Sequence, residues 1–213
     1  MAFTMGETTA SPTAGRQKRE RQKNVRRDAI LVAARKVFAR EGYDGTTIAD
    51  IAKEAGVASG TVYLYYASKT DLFAALNALF FQAIQEAMIQ TDAPPDVEGG
   101  TRARISAVFG ACAKHRDLVR LVFLNPDPRT EVARRMKNAD EARLQPLADL
   151  LEGGMEAGFV RKADARFLAR IITGLVTIAL YQCFVQSEQS DIEAYESTVS
   201  DMVIGALTPR PIP

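Results

Sequence analysis

Apolar residues recur along this chain at three- and four-residue intervals, the period of a helix buried on one side. Ile30, Ala34, Val37 and Phe38 make one such stripe, which predicts a helix over residues 23–40 stopped by Gly42. Thr47-x-x-Asp50 has the spacing of a capping box, and Ile48, Ile51, Ala52 and Ala55 follow it on one narrow face. Gly56 suits the left-handed residue that ends a helix. Val57-Ala58-Ser59-Gly60 is long enough only for a turn, and a short helix over 61–66 follows with three tyrosines in four residues. Ser68-x-x-Asp71 is a second capping box, opening a helix over 69–90 whose inward face is Leu72, Ala75, Leu76, Leu79, Ala83 and Ile84.

After a Pro- and Gly-rich loop at 92–100, the pattern predicts helices over 101–114, 116–124, 129–156, 163–187 and 191–207. Pro146 is expected to kink or split the long one. No alternating apolar run is long enough for a strand. The fold class is therefore all-α. An N-terminal three-helix helix-turn-helix domain over 23–70 precedes a larger helical domain over 71–213, and residues 1–22 form an unstructured basic arm.

Charge changes this picture more than composition does. The chain has 213 residues and a net charge of +1. Between Arg16 and Arg40, however, ten Lys or Arg stand against two acids, a net +8, so the remainder carries −7. One basic end on an otherwise acidic chain suits a protein that presents that end to phosphate. A helix, a short turn with glycine and a second hydroxyl-bearing helix form the arrangement whose second helix enters the DNA major groove.

Residues 24–72 resemble the DNA-binding domain of the tetracycline-repressor (TetR) family. The resemblance rests on Glu41-Gly42-Tyr43, Thr46-Thr47, Ile51 through Val57, Gly60-Thr61-Val62-Tyr63 and Ser68-Lys69-x-Asp71-Leu72. Ala49, Ala58, Leu64 and Tyr66 depart from the usual pattern. Ser59 either replaces the missing cap at position 58, or the helix starts without one. The resemblance implies a transcriptional regulator, a repressor acting on a palindromic double-stranded DNA operator in the cytoplasm, at the nucleoid. It implies phosphate clamps at Thr47, Tyr63 and Lys69, and groove-facing positions at Ser59, Gly60, Thr61 and Tyr65.

The second domain is expected to dimerise and to bind a small molecule. The helix over 163–187 carries two apolar stripes, Leu168, Ile171, Leu175 and Ile178, and then Ile172, Val176, Ala179 and Cys183. Two stripes need two covering surfaces. Tyr195, Val199 and Met202 repeat the spacing on the last helix, and paired helices from two chains make a four-helix bundle. The TetR resemblance implies this homodimer, and also a pocket for an apolar or amphipathic effector. Phe81, Ile84, Met88, Phe109, Cys112, Phe123, Thr177 and Tyr181 are the candidate lining.

The run from Phe167 to Val185 contains Arg170 and Gln182, and it reads as a helix buried on most faces rather than a membrane span. Cys112 and Cys183 read as core residues. No spacing calls for a metal or a cofactor. The competing readings are a constitutive DNA binder without a ligand and an enzyme built on Cys112, His115 and Asp117.

Overall fold

A computed structural model describes residues 12–123, 131–187 and 190–209, with backbone alone for 12–14 and 131–143. The elements are α1 (Pro12–Gly45), α2 (Ile48–Ala55), α3 (Ser59–Tyr63), α4 (Lys69–Gln90), α5 (Val97–Lys114), α6 (Arg116–Phe123), α7 (Glu131–Glu156), α8 (Ala165–Tyr181) and α9 (Ile192–Leu207). One π-helical turn, Gln182–Gln186, continues α8. No strand occurs among the described residues.

The starts of five helices follow from short polar side chains that take up an orphan backbone N–H. Asp50 N–H donates to Thr47 Oγ1 at 3.2 Å, and Thr47 N–H donates back to Asp50 Oδ2 at 3.1 Å, which completes the capping box. Ser68 caps α4 by accepting from Asp71 N–H at 3.1 Å. Asp96, Asp164 and Asp191 cap α5, α8 and α9 in the same way. Gly56, at φ 67° and ψ 32°, closes α2 in the left-handed conformation. Gly42, at φ 72°, breaks α1 one turn before its end, where the pattern placed the stop.

Several boundaries differ from the expectation. α1 begins at Pro12, so residues 12–22 are helical rather than an unstructured arm. Apart from Asn24 and Val25, only good helix formers separate Arg16 from Arg27, and proline fits a first helical position. α3 starts two residues early, at Ser59, and Ala58 gives it no side-chain cap. α5 starts at Val97 because Asp96 is available as a cap. α7 runs unbroken through Pro146. Leu79 is exposed, whereas Phe73 and Asn77 are buried on the inward face of α4.

The N-terminal head packs Ile30, Ala34, Val37 and Phe38 of α1 against Ile51, Ala52 and Val62, and Leu72 and Phe73 of α4 close it. Phe73 meets Phe38 and Tyr43 edge-on at 5.6 and 5.0 Å, a three-ring cluster of the favoured geometry. The head core thus reaches past residue 70 into α4. The larger unit is built on the rest of α4, with α5 packed against α4 and α9, and α7 packed against α8. Phe109 and Phe184, both buried, sit 6.2 Å apart at its centre.

Candidate nucleic-acid interface and ligand cavity

The turn between α2 and α3 leaves a small exposed ridge. Gly60 is exposed, and a Cβ added there would meet nothing within 4 Å, so the ridge can approach another surface closely. Ser59 and Thr61 are half-buried beside it, and Val62 points into the core. Tyr63 is exposed, and no hydrogen bond holds it among the described residues. Tyr66 is buried, with its hydroxyl unpaired, which agrees with a packing role.

The other two expected phosphate clamps are already engaged. The Lys69 ammonium donates to the carbonyls of Tyr43 at 2.7 Å and Thr46 at 2.9 Å, and it lies 4.5 Å from the Tyr43 ring centroid. It therefore ties α4 to the loop after α1 rather than projecting toward solvent. Thr46 Oγ1 donates to Gly42 O at 2.6 Å in the same loop. The Thr47 hydroxyl donates to Asp50 Oδ2 at 2.5 Å. Thr47 holds the Asp50 carboxyl below its usual range, so a negative charge sits at the start of α2. That charge complements the helix dipole and works against a phosphate there.

Tyr65, expected in the groove, instead lines a concavity with Lys18, Arg21, Gln22 and Arg26 of α1. Along that exposed part of α1, Arg16, Arg19, Lys23 and Arg26 follow a 3,4,3 spacing, and Arg27 adjoins them. They form one basic stripe, a feature that only the helical state of residues 12–29 reveals.

A cavity of about 610 Å3 lies in the larger unit, within the range of small-molecule sites. Phe81, Ile84 and Met88 of α4, Phe123 of α6 and Thr177 of α8 line it, as expected. Phe109 and Cys112 do not line it. Both are fully buried in the closed core, and burial pushes the Cys112 thiol up to about 12. Tyr181 lies outside it too. Its ring packs 5.9 Å from Phe123, and its hydroxyl accepts from Gln186 Nε2. The periodicity missed Ile105, Leu147, Leu151 and Ile172 in the wall, and the arginines 104 and 170. Arg104 Nη1 donates to Gly100 O at 3.0 Å.

The residues of the competing enzyme reading are apart in role. His115 Nδ1 stands 3.5 Å from Arg35 Nη2, Asp117 is paired with Arg35, and the Cys112 thiol is held protonated. These three do not form a nucleophile and its base.

The profile of bacterial regulatory proteins of the tetR family matches residues 30–76, which span the whole helix-turn-helix. The transcriptional activator FasR of Mycolicibacterium smegmatis is 30% identical over 178 residues, covering 79% of this chain and 76% of its own length. The chain belongs to the TetR family. It is a DNA-binding transcriptional regulator.

Two solved structures of TetR-family fold extend the likeness through the larger unit. FadR of Bacillus halodurans, a fatty acid degradation regulator, superposes with a TM-score of 0.73 at 27% identity, covering 84% of this chain and 98% of its own. FadR of Bacillus subtilis, solved in complex with stearoyl-CoA, gives 0.73 at 23% identity, over 84% and 97%.

In this TetR-family chain the expected dimer face is partly inverted. Leu168 and Val199 are buried in the subunit's own core, while Ile171, Ile178 and Met202 point outward. Leu175 and Tyr195 are half-buried at the edge. Phe167 is 62% exposed and joins Ile171, Gly174 and Ile178 in one outward stripe. α8 is thus buried on one side only, not on most faces. By length and composition alone, α8 together with its π-helical turn, and α4, would each suffice to cross a membrane.

Proposed function

We propose that this regulator is a homodimer that grips a near-palindromic operator and releases it when an anionic, long-chain acyl compound fills the cavity. The carrying observation is the placement of that cavity. Phe81, Ile84 and Met88 line it from the far half of the helix that enters the DNA head at Lys69. α4 is a rod of 22 residues, roughly 33 Å at 1.5 Å per residue, so a small tilt at one end moves the other by a distance that matters to groove spacing.

The ligand class follows from the lining. Apolar side chains make most of the wall, and Arg104 and Arg170 supply cationic groups that favour an anion. Stearoyl-CoA, bound by the Bacillus subtilis FadR, is a molecule of this kind. Each buried methylene contributes about 0.8 kcal/mol, so affinity should rise about fourfold per CH2 added until the cavity is full. Titration of the dimer with acyl-CoAs of increasing chain length tests this. A flat series would remove the acyl ligand. Arg104→Ala should weaken acyl-CoA binding more than binding of the corresponding alcohol.

On DNA, Gly60, Ser59, Thr61 and Tyr63 are the residues that meet the duplex, with Thr61 reading a base edge and Tyr63 a phosphate. Thr47 and Lys69 act by positioning these residues. The basic stripe of α1, flanked by Tyr65, adds phosphate contacts. The dimer forms through the outward stripe of α8 and Met202 of α9, and the protein acts in the cytoplasm at the nucleoid. Selection from random duplexes tests the DNA reading, and enrichment of no symmetric sequence would reject the two-fold dimer. Repression is our reading of the sign, and a reporter fused to the selected operator decides it.

A further inference from the structure

The cavity touches the DNA head through a second element besides α4. Val122 and Phe123, at the C-terminal end of α6, line the cavity. Asp117, in the first turn of the same helix, grips Arg35 of α1: Nε and Nη2 donate to Oδ2 and Oδ1, each at 2.5 Å. This is the two-pronged geometry that fixes a guanidinium in direction as well as position. Arg35 follows the core residues Ala33 and Ala34 and precedes Val37 and Phe38, so a shift of its side chain pulls on the packed side of the head. Between the two ends of α6, Leu118, Val119 and Leu121 are buried, which leaves the helix little room to move except as a unit. Eight residues make it a strut of about 12 Å.

We infer that Arg35 and Asp117 are positioning residues that transmit the state of the cavity to the DNA head through α6, in parallel with α4. The side chains are 31% and 39% exposed, and a pair so wet contributes little to stability. Its value lies in register: it converts a displacement of α6 into a displacement of α1. A coupling can travel through packed contacts and ion pairs, and the buried face of α6, the Asp117–Arg35 pair and the head core around Phe38 supply such a series. The inference rests on the proposal that the cavity regulates DNA binding, but not on the identity of the ligand.

A cycle of substitutions tests it without any ligand. Val122→Phe, or Phe123→Trp if the first does not fold by thermal melting, adds bulk to the cavity from α6. Each is combined with Asp117→Asn, and affinity for the selected operator is measured. With the pair intact, the filling substitution should weaken operator binding about tenfold, and in the Asp117→Asn background less than threefold. The charge-exchanged protein, Arg35→Asp with Asp117→Arg, should recover most of the response. Equal effects in both backgrounds would overturn the proposal, as would filling substitutions that leave operator affinity unchanged while the pair is intact. A parallel titration of the unaltered protein with stearoyl-CoA separates the two readings. Indifference to stearoyl-CoA together with coupling between positions 122 and 117 discards the acyl ligand and keeps the joint.

Discussion

The two halves of α4 are built from similar residues and end in opposite states. In the first half, Leu72, Phe73 and Leu76 are sealed against α1 and Tyr43. In the second, Phe81, Ile84 and Met88 are half-buried around an unfilled space. An apolar stripe therefore states only that a helix needs a partner. The neighbours decide whether that partner is a side chain of the same subunit, a second subunit or a ligand. In this protein the closed half belongs to the element that must hold a fixed shape on DNA, and the open half to the element that must respond.

Truncation should separate the two halves most sharply. Phe73→Ala opens a hole in a packed three-ring cluster and should cost about 3–5 kcal/mol, whereas Met88→Ala widens an existing space and should cost about 1 kcal/mol or less. Urea unfolding followed by circular dichroism gives both numbers, and similar losses would erase the distinction. The outward stripe extends the comparison to the proposed dimer interface. Ile178→Asp should raise the dimer dissociation constant by about tenfold or more, on the order of 1.4 kcal/mol, while each subunit stays helical. Val199→Asp, one helix away but facing inward, should unfold the subunit instead. Light scattering and circular dichroism on both variants distinguish these outcomes.

Smaller effects sharpen the head. Thr47→Ala removes the cap of α2 and should cost about 1 kcal/mol at neutral pH. On the proposed positioning role of Thr47, its loss of operator affinity should track the loss of stability, whereas a larger loss of affinity would return Thr47 to the phosphate contacts. The smallest effect concerns pH. Arg35 holds the Asp117 carboxyl below the usual carboxylate range, first through the hydrogen bonds it donates. A carboxyl with a lowered folded-state pKa adds stability above its unfolded value, about 3.9, and loses it as pH falls through the folded value. The melting-temperature gap between the unaltered protein and Asp117→Asn should therefore be largest near neutrality and shrink toward pH 3. A gap that grows on acidification would contradict the pairing.

The DNA head was legible because its signals are local. Capping boxes at Thr47 and Ser68, and glycines at 42 and 56, act within four residues of themselves, and all four do what their chemistry suggests. The tie that Lys69 makes was not legible, because its partners are backbone carbonyls 23 to 26 positions away, which residue types do not announce. The two stripes of α8 were visible, but periodicity does not fix where each one ends, so Leu168, and Val199 on α9, lie in the subunit's own core while Ile171 and Ile178 face outward. The cavity was half legible. Phe81, Ile84, Met88, Phe123 and Thr177 line it, but Phe109 and Cys112 fill the core beside it, because a void is a property of packing and not of any residue. The basic charge near the N-terminus was plain, but its organisation into a stripe depends on α1 starting at Pro12.

The central claim is that filling the cavity changes how the head binds DNA. It is tested most directly by the operator affinity of the unaltered dimer with and without saturating stearoyl-CoA, with ligand occupancy measured in the same samples. The account predicts a loss of about 5- to 150-fold, the range of a coupling of 1–3 kcal/mol. An operator affinity that does not change while the cavity is demonstrably occupied would contradict it.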